Sequence, residues 1–170
     1  MTTTDVLPAP PGRVLTAREL RAWVTGLAGR SGLWAPLVRH DTGRRHYAQL
    51  YRDGDVDVWV LCWNVVDDTG WHDHDVSSGA VAVTIGAVSE ATPRMGGAPV
   101  SRIVRAGRAF AFGPDRIHRM AGAVDGSVSI HAYSPPLWRM GQYSISRAGV
   151  LRRRAVSYAD ELRPLDQARP

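Results

Sequence analysis

The chain has one cysteine and no lysine, and each scarcity excludes something. Because an internal disulfide needs two thiols, a hydrophobic core must hold the 170 residues together, and 44% hydrophobic residues suffice for one domain. Cys62 lies in an apolar run and is expected to be a buried free thiol, which suits a reducing compartment. No apolar run is long enough to span a bilayer. We therefore expect a soluble, cytoplasmic monomer without a membrane partner.

The net charge of +5 and the sequence pI of about 10.1 raise the question of an acidic partner such as nucleic acid. All 21 basic residues are arginines, and they are scattered along the chain. The longest basic run covers 152–154, and no basic stripe alternates with aromatic residues. The composition therefore indicates a solvated, arginine-rich surface, and we expect no nucleic-acid partner.

One amphipathic helix is indicated near the start of the chain. Thr16 and Glu19 have the spacing of a capping box, and apolar residues at one-face helical spacing follow them. This pattern predicts a helix over 17–30. A shorter apolar piece predicts a further helical turn over 33–38.

From residue 46 onward the pattern changes to short β-like runs separated by glycine-containing turns. Strands are predicted at 55–60, 79–88, 102–104, 108–112 and 128–133. Many short strands with turn signals between them favour an all-β sandwich or barrel. We expect a disordered leader over 1–15, one domain including the N-terminal helices over 16–150, and a C-terminal tail over 151–170.

Three histidines in the β region indicate a metal site. His72 and His74 are separated by one residue, and residues two apart in a strand project from the same face. His118 follows in a distant run and can supply a third ligand. Three neutral imidazoles leave a divalent ion its full charge and open coordination positions, and they suit iron, zinc, copper or nickel. By alternation, Asp73 is expected to point away from the ion.

The order of these histidines and the following glycines resembles the two-part signature of the cupin superfamily. Gly86 follows the His-x-His pair, and His118 comes eleven residues after Gly107. Gly79 stands in place of the glutamate that is usual in the first cupin motif. The resemblance implies an all-β cupin jelly-roll barrel, a double-stranded β-helix, here with short N-terminal helices.

Several separate motifs over about residues 45–137 look like the cysteine dioxygenase family of thiol dioxygenases. They are Leu61-Cys62-Trp63, His72-Asp73-His74, Ser78-Gly79, the hairpin at 86–90 and the segment at 129–137. In that family, a ferrous ion held by three histidines binds the substrate thiolate and dioxygen, and both oxygen atoms go to sulfur. The resemblance therefore implies Fe(2+) at His72, His74 and His118, with a small thiol and O2 as substrates.

Ser129, His131 and Tyr133 match the Ser-His-Tyr relay of the family. They lie at positions i, i+2 and i+4 of a predicted strand and so share one face. The serine can then orient the imidazole, and the imidazole can orient the phenol toward the metal. The cysteine that cross-links to the tyrosine in animal members corresponds to Gly79 here, so Tyr133 is expected to be an unmodified phenol.

The arginine that binds the substrate carboxylate in animal members aligns with Gln49 if the following loop is about three residues shorter. Glutamine cannot supply a charge-assisted bidentate pair of hydrogen bonds. The same glutamine occurs in the subgroup that prefers 3-mercaptopropionate, where a different arginine binds the carboxylate. We expect Gln49 and Tyr47 to contact the substrate, with Arg139 or Arg52 binding its carboxylate.

The expected reaction converts L-cysteine to cysteine sulfinate, with 3-mercaptopropionate or another small thiol carboxylate as the alternative substrate. Two other classes of function compete with a dioxygenase. One is a cupin that senses or stores a ligand without turnover, against which the intact Ser-His-Tyr set argues. The other is a metal-dependent isomerisation or hydrolysis, which needs a general base near the metal.

Overall fold

The computed structural model describes residues 6–41, 44–146 and 150–157. In these residues, helices α1 (Ala17–Ala28) and α2 (Ser31–Trp34) and the 3-10 turn Ala35–Leu37 precede the strands. The strands are β1 (Tyr47–Arg52), β2 (Asp57–Trp63), β3 (Trp71–Asp73), β4 (Ser78–Ile85), β5 (Ala87–Arg94), β6 (Gly97–Arg105), β7 (Ala109–Phe112), β8 (Arg119–Gly122), β9 (Ser127–Ser134), β10 (Arg139–Ile145) and β11 (Leu151–Ser157).

The strands form two layers with a shared core. One layer is a five-stranded sheet in the order β1-β2-β9-β4-β7, and the other contains two three-stranded sheets, β11-β10-β3 and β6-β5-β8. An isolated bridge between His72 and His118 joins the two small sheets. Trp59 of the large sheet shares a buried cluster with Met120 and Met140 of the small ones. The layers therefore pack face to face, with two of the predicted ligands at the seam of one layer.

Helix α1 covers the other face of the five-stranded sheet. The predicted capping box is present, because Glu19 N donates to Thr16 Oγ1 at 3.3 Å and Thr16 N donates to the Glu19 carboxylate at 2.9 Å. The buried stripe of Leu20, Val24 and Leu27 packs against the sheet. The helix predicted over 17–30 is thus confirmed, two residues shorter at its end.

Strands β2 and β9 are neighbours inside the large sheet and are buried at every position. In β9, Val128, Ile130 and Ala132 face the helix cluster, whereas Tyr133 faces the core between the layers. A strand that is covered on both sides can place apolar residues on one face and chemically active residues on the other.

The strand predicted over 79–88 is two strands, β4 and β5. They are separated at Gly86, whose φ of 65° lies in the left-handed region. A Cβ at this position would also crowd the backbone and side chain of Ser127. Glycine is therefore needed here for both conformation and space.

The predicted boundaries differ from the structure at both ends. Leu15, assigned to the leader, is buried, and its N–H donates to Ser134 Oγ at 2.8 Å. Part of the predicted tail forms β11, which pairs with β10 from Leu151 to Ser157. Residues 1–5 and 158–170 lie outside the described residues. No helix in the described part of the chain combines the length and apolar character required for a membrane crossing.

Candidate metal centre

The three predicted ligands converge at the seam of the small sheets. His72 lies in β3, His74 follows that strand, and His118 precedes β8. The backbone of His72 exchanges two hydrogen bonds of 2.9 Å with that of His118. These bonds hold the two segments of the chain beside each other. The ring centroids are 4.6 to 5.1 Å apart, and one ligand nitrogen from each residue lies within 4.8 Å of the other two. All three side chains are buried.

The Nδ1 atoms of His72 and His118 have hydrogen-bond partners that fix the tautomer of each ring. His72 Nδ1 is 3.1 Å from the carbonyl oxygen of Gly70, and His118 Nδ1 is 3.1 Å from the carboxylate of Glu90. Because both partners can only accept, we assign the hydrogen to Nδ1 in each ring, which leaves a lone pair on Nε2. A metal-ligating histidine has the same arrangement.

The remaining ring nitrogens of the three histidines show whether a cation would fit between them. His118 Nε2 and both ring nitrogens of His74 are buried and have no hydrogen-bond partner among the described residues. Burying a polar atom without a partner is costly, so each such atom in a native fold requires an explanation. A divalent ion bound by three imidazoles would account for His118 Nε2 and for one ring nitrogen of His74, and the donor set fits such an ion.

The protonation states favour metal binding as well. Burial lowers the pKa of His72 and His74 well below the usual value, and the neighbouring imidazoles lower both further. Burial also lowers the pKa of His118, although the hydrogen bond to Glu90 opposes this shift. The rings are therefore neutral at pH 7, and protons do not compete with a metal ion there.

Glu90 orients the ring of His118 through its contact with Nδ1, on the side of the ring opposite Nε2. Its carboxylate is 1% exposed and also accepts from Arg102 Nε at 2.7 Å. Burial raises the pKa of Glu90, but the hydrogen bonds from His118 and Arg102 outweigh it and lower the pKa. The sequence motifs alone gave Glu90 no predicted role. Glu90 is two residues from Val88 in β5, so the two side chains share the face that packs into the core. This period-two pattern is a signal that could have predicted the burial of Glu90.

The three side chains predicted to form a relay lie within hydrogen-bond distance of one another along the inner face of β9. Ser129 Oγ lies 2.8 Å from His131 Nε2, and His131 Nδ1 lies 3.1 Å from Tyr133 Oη. Trp63 Nε1 donates to Ser129 Oγ at 2.8 Å and holds the serine in place. Burial, followed by the charge of Arg45 and the effect of His118, lowers the pKa of His131 to about 3. The neutral imidazole thus connects the serine to the phenol.

The phenol of Tyr133 lies beside the three candidate ligands. Its ring stacks on His74 with centroids 5.2 Å apart, while Phe112 contacts His74 at 4.7 Å and His118 at 4.6 Å. Gly79 pairs with both Phe112 and Tyr133 in the large sheet. A Cβ on Gly79 would overlap the Phe112 ring. Glycine at this position therefore allows Phe112 to pack against the histidines.

A small cavity of about 20 Å³ opens between the layers beside these residues. Its walls are Arg45, Leu61, Thr69, His72, His118, Met120, His131, Tyr133, Leu137 and Met140. Arg45 is 3% exposed, and its guanidinium carbon lies 4.9 Å from the Trp63 ring centre. The cavity thus combines two of the candidate ligands, the imidazole and phenol of the relay, and one buried cation.

The chain matches the family model described as cysteine dioxygenase type I over residues 15–146. It belongs to this family. The match contains the three histidines, the relay and Arg45. The family and the three-histidine cluster together support a thiol dioxygenase-like function with a bound metal. A comparison with curated proteins gives no match.

Solved structures identify the fold. A conserved protein with a double-stranded β-helix domain from Klebsiella pneumoniae subsp. pneumoniae MGH 78578 is similar at a TM-score of 0.51 and 13% identity, covering 70% of this chain and 91% of that chain. The TT1209 protein from Thermus thermophilus is similar at a TM-score of 0.51 and 11% identity, covering 59% and 92%. At these identities the similarity shows the fold alone. It confirms the predicted cupin jelly roll.

The substrate-binding residues predicted for this member of the cysteine dioxygenase family are not among the residues that line the cavity. Gln49 is exposed and donates to Asp57 at 3.1 Å, and Arg52 pairs with the same carboxylate at 2.9 Å. Tyr47 packs against Trp59 with ring centroids 6.0 Å apart. None of these residues lines the cavity in the described part of the chain.

Arg139 also lies outside the cavity wall. Its side chain is 59% exposed and lies 3.4 Å from Asp75. Arg45, by contrast, lines the cavity, although it was not among the residues predicted from the sequence. No local pattern distinguishes Arg45 from the other arginines, because its position depends on how the segment before β1 folds over Trp63.

Asp73 points away from the histidine cluster, as alternation predicted. Its carboxylate accepts from both Arg153 and Tyr143. Burial raises the pKa of Asp73, but these hydrogen bonds outweigh it and lower the pKa well below the usual range. This carboxylate is therefore held ionised on the outer side of β3 and does not serve as a general base for the cavity.

Proposed function

We propose that the protein is a thiol dioxygenase that uses Fe(2+) to convert a small thiol carboxylate, such as L-cysteine, to its sulfinic acid. The observation that carries this proposal is a three-imidazole cluster beside the Ser129-His131-Tyr133 hydrogen-bond chain and a small cavity. Both atoms of dioxygen are added to sulfur. Dioxygen takes up all the electrons that sulfur loses, so no external reductant is required.

His72, His74 and His118 would hold the metal. When bound, the ion supplies a positive charge that favours the thiolate over the thiol, together with the redox chemistry with dioxygen. Because all three ligands are neutral, they leave that charge intact. The choice of iron rests on the family, since the imidazoles also suit zinc, copper or nickel.

Arg45 is the residue we assign to the substrate carboxylate, in place of Gln49 or Arg139. Its guanidinium is permanently charged and can form two parallel hydrogen bonds with a carboxylate. The residue is buried on the wall that also contains His72 and His118. A thiol carboxylate can therefore place its carboxylate at Arg45 and its sulfur near the histidines.

The cavity also favours 3-mercaptopropionate as a second candidate substrate. No acidic side chain lines the cavity among the described residues, so the wall offers no carboxylate to the ammonium group of cysteine. Thr69 Oγ1 already donates to Gly70 and accepts from Met120 N. A thiol carboxylate without an ammonium group avoids that desolvation cost.

The remaining walls limit size and exclude water. Leu61, Met120, Leu137 and Met140 are apolar, and about 20 Å³ holds roughly one water molecule. Substrate binding requires some of these side chains to shift, and the two methionines are flexible enough to do so. Tyr133 would donate a hydrogen bond to the reacting oxygen or sulfur atoms, with His131 keeping the phenol in position.

The test is oxygen uptake by the iron-loaded protein. The apoprotein is loaded with Fe(2+) without oxygen, mixed with L-cysteine, 3-mercaptopropionate or cysteamine, and then exposed to 18O2. We expect one O2 consumed per thiol carboxylate, both labelled atoms in the sulfinate, and little reaction with cysteamine. Zinc-loaded protein is the matched control, because zinc has no redox chemistry. Absence of O2 uptake with every thiol would refute the proposal, and binding without uptake would favour a sensor.

A further inference from the structure

Strand β11 lies beyond the part of the chain that matches the family, yet one of its side chains reaches the metal-ligand segment. Arg153 on β11 donates to Asp73 through two hydrogen bonds of 2.8 Å, from Nε to Oδ2 and from Nη2 to Oδ1. Asp73 stands between His72 and His74 in the chain. The last described strand is therefore attached by a bidentate ion pair to the residue that separates two candidate ligands.

Both carboxylate oxygens of Asp73 accept further hydrogen bonds. Its Oδ1 also accepts from Gly141 N at 3.1 Å and from Asp75 N at 3.0 Å, and its Oδ2 accepts from Tyr143 Oη at 2.5 Å. The residue is 6% exposed. A buried carboxylate with this many donors has one well-defined position. The backbone of the adjacent residues His72 and His74 is held in place with it.

Gly141 makes room for this contact. It lies on β10, the middle strand of the sheet, directly opposite Asp73. A Cβ at this position would be 2.6 Å from Arg153 Cζ and 2.6 Å from Asp73 Oδ2. The ion pair thus crosses β10 where only glycine leaves space for it.

The ligand segment needs such support because its own strand is short. Strand β3 has three residues and pairs with β10 over those three alone. Immediately after His74 the chain turns at Asp75, whose φ of 56° lies in the left-handed region that non-glycine residues rarely adopt. The Asp75 N–H to Asp73 Oδ1 bond stabilises that turn.

We infer that Arg153 is a positioning residue of the metal centre, and that β11 is part of its scaffold. By holding Asp73 on the outer side of β3, Arg153 keeps His72 and His74 directed toward a common ion. The inference rests on the proposed function in one respect, that these histidines bind a divalent metal. Arg153 does not touch substrate or metal.

The experiment measures Co(2+) binding to the full chain by visible absorption and by competition with a chelator, without thiol or oxygen. Arg153→Ala should weaken binding about 10- to 100-fold, as expected for a residue that orients a ligand. Arg153→Lys should recover part of the affinity, because one ammonium contact replaces two guanidinium contacts. Tyr143→Phe, which removes one hydrogen bond to Asp73, should have a smaller effect. Arg154→Ala, an exposed neighbour on the same strand, is the matched control and should bind like wild type.

Binding is measured at a temperature at which circular dichroism shows every variant folded, so a loss of stability alone does not change the affinity. Unchanged Co(2+) affinity and absorption bands in folded Arg153→Ala overturn the inference. If that variant does not fold, unchanged affinity in both Arg153→Lys and Tyr143→Phe overturns it instead. Wild-type protein that binds no Co(2+) refutes the proposed metal centre itself, so the two failures are distinguished.

Discussion

The two faces of strand β9 are equally buried and differ completely in chemistry. Val128, Ile130 and Ala132 pack against the helix cluster, whereas the alternating residues form the Ser129-His131-Tyr133 relay. Period-two alternation thus divides one strand into a stabilising face and a reactive face. Substitutions on the two faces should therefore change different measured quantities.

The energetic reason for this division lies in what each face buries. An apolar side chain contributes about 1.5 to 3 kcal/mol to folding when it is fully buried. A buried polar group costs free energy unless its hydrogen bonds are made, and those bonds do little more than offset the cost. His131 is satisfied by Ser129 and Tyr133, so the inner face is compatible with folding. We expect the stability to come mainly from the outer face.

The largest effect on activity is expected for His74→Leu on the reactive side. Loss of one of three ligands should abolish iron binding and oxygen uptake. The metal-free protein should keep its stability or gain some, because both ring nitrogens of His74 are buried without a partner among the described residues. Iron content, oxygen uptake and thermal unfolding of the apoprotein check this. Iron-dependent turnover in the variant would contradict it.

A smaller effect, selective for one substrate class, is expected for Arg45→Leu. Losing two charge-assisted hydrogen bonds of about 1.5 kcal/mol each lowers kcat/KM for thiol carboxylates about 100-fold. Cysteamine has no carboxylate, so its slow reaction with the wild-type protein should keep the same rate in the variant. Steady-state kinetics with both thiols check the difference. An equal loss with both would show that Arg45 supports the fold or the histidines and does not bind the carboxylate.

Tyr133→Phe should lower kcat about tenfold, the equivalent of one hydrogen bond of about 1.4 kcal/mol. KM for the thiol should change little, since the phenol acts on the reacting atoms and Arg45 binds the carboxylate. The matched control is Tyr51→Phe, which removes a hydroxyl that donates to Asp53 at 2.7 Å outside the histidine cluster. If the two variants lose kcat equally without a loss of metal, the relay has no special role.

The sequence predicted those parts of the molecule whose signals are local. Helix α1 has a capping box and an apolar stripe, and the relay residues share a strand face by period two. Strand β3, with three residues, is too short to show a period. Strand β11 is exposed at almost every position and so lacks an apolar pattern. Its place is determined by pairing with β10.

The residues of the candidate site also differ in whether a local sequence signal could predict them. The ligand trio could be predicted because His72 and His74 lie close in sequence and because the family resemblance indicates His118. Arg45 could not be predicted, since its burial and its contacts with Trp63 and the cavity depend on the tertiary fold and leave no local sequence pattern. The alignment that placed Gln49 at the carboxylate depended on a loop length, which local patterns do not determine.

The smallest effect on activity is expected for Ile130→Ala on the stabilising face. Removing this fully buried side chain should cost about 2 to 5 kcal/mol in the free energy of unfolding, because a cavity remains beneath α1. Turnover per folded, iron-loaded molecule should stay at the wild-type level, since His131 is held by its own hydrogen bonds. Urea unfolding and oxygen uptake check this, with Ile130→Val as the milder control at about 0.5 to 1.5 kcal/mol. A tenfold loss of turnover in folded Ile130→Ala would mean that packing beneath the helix sets the position of His131, and that the two faces of β9 do not act independently.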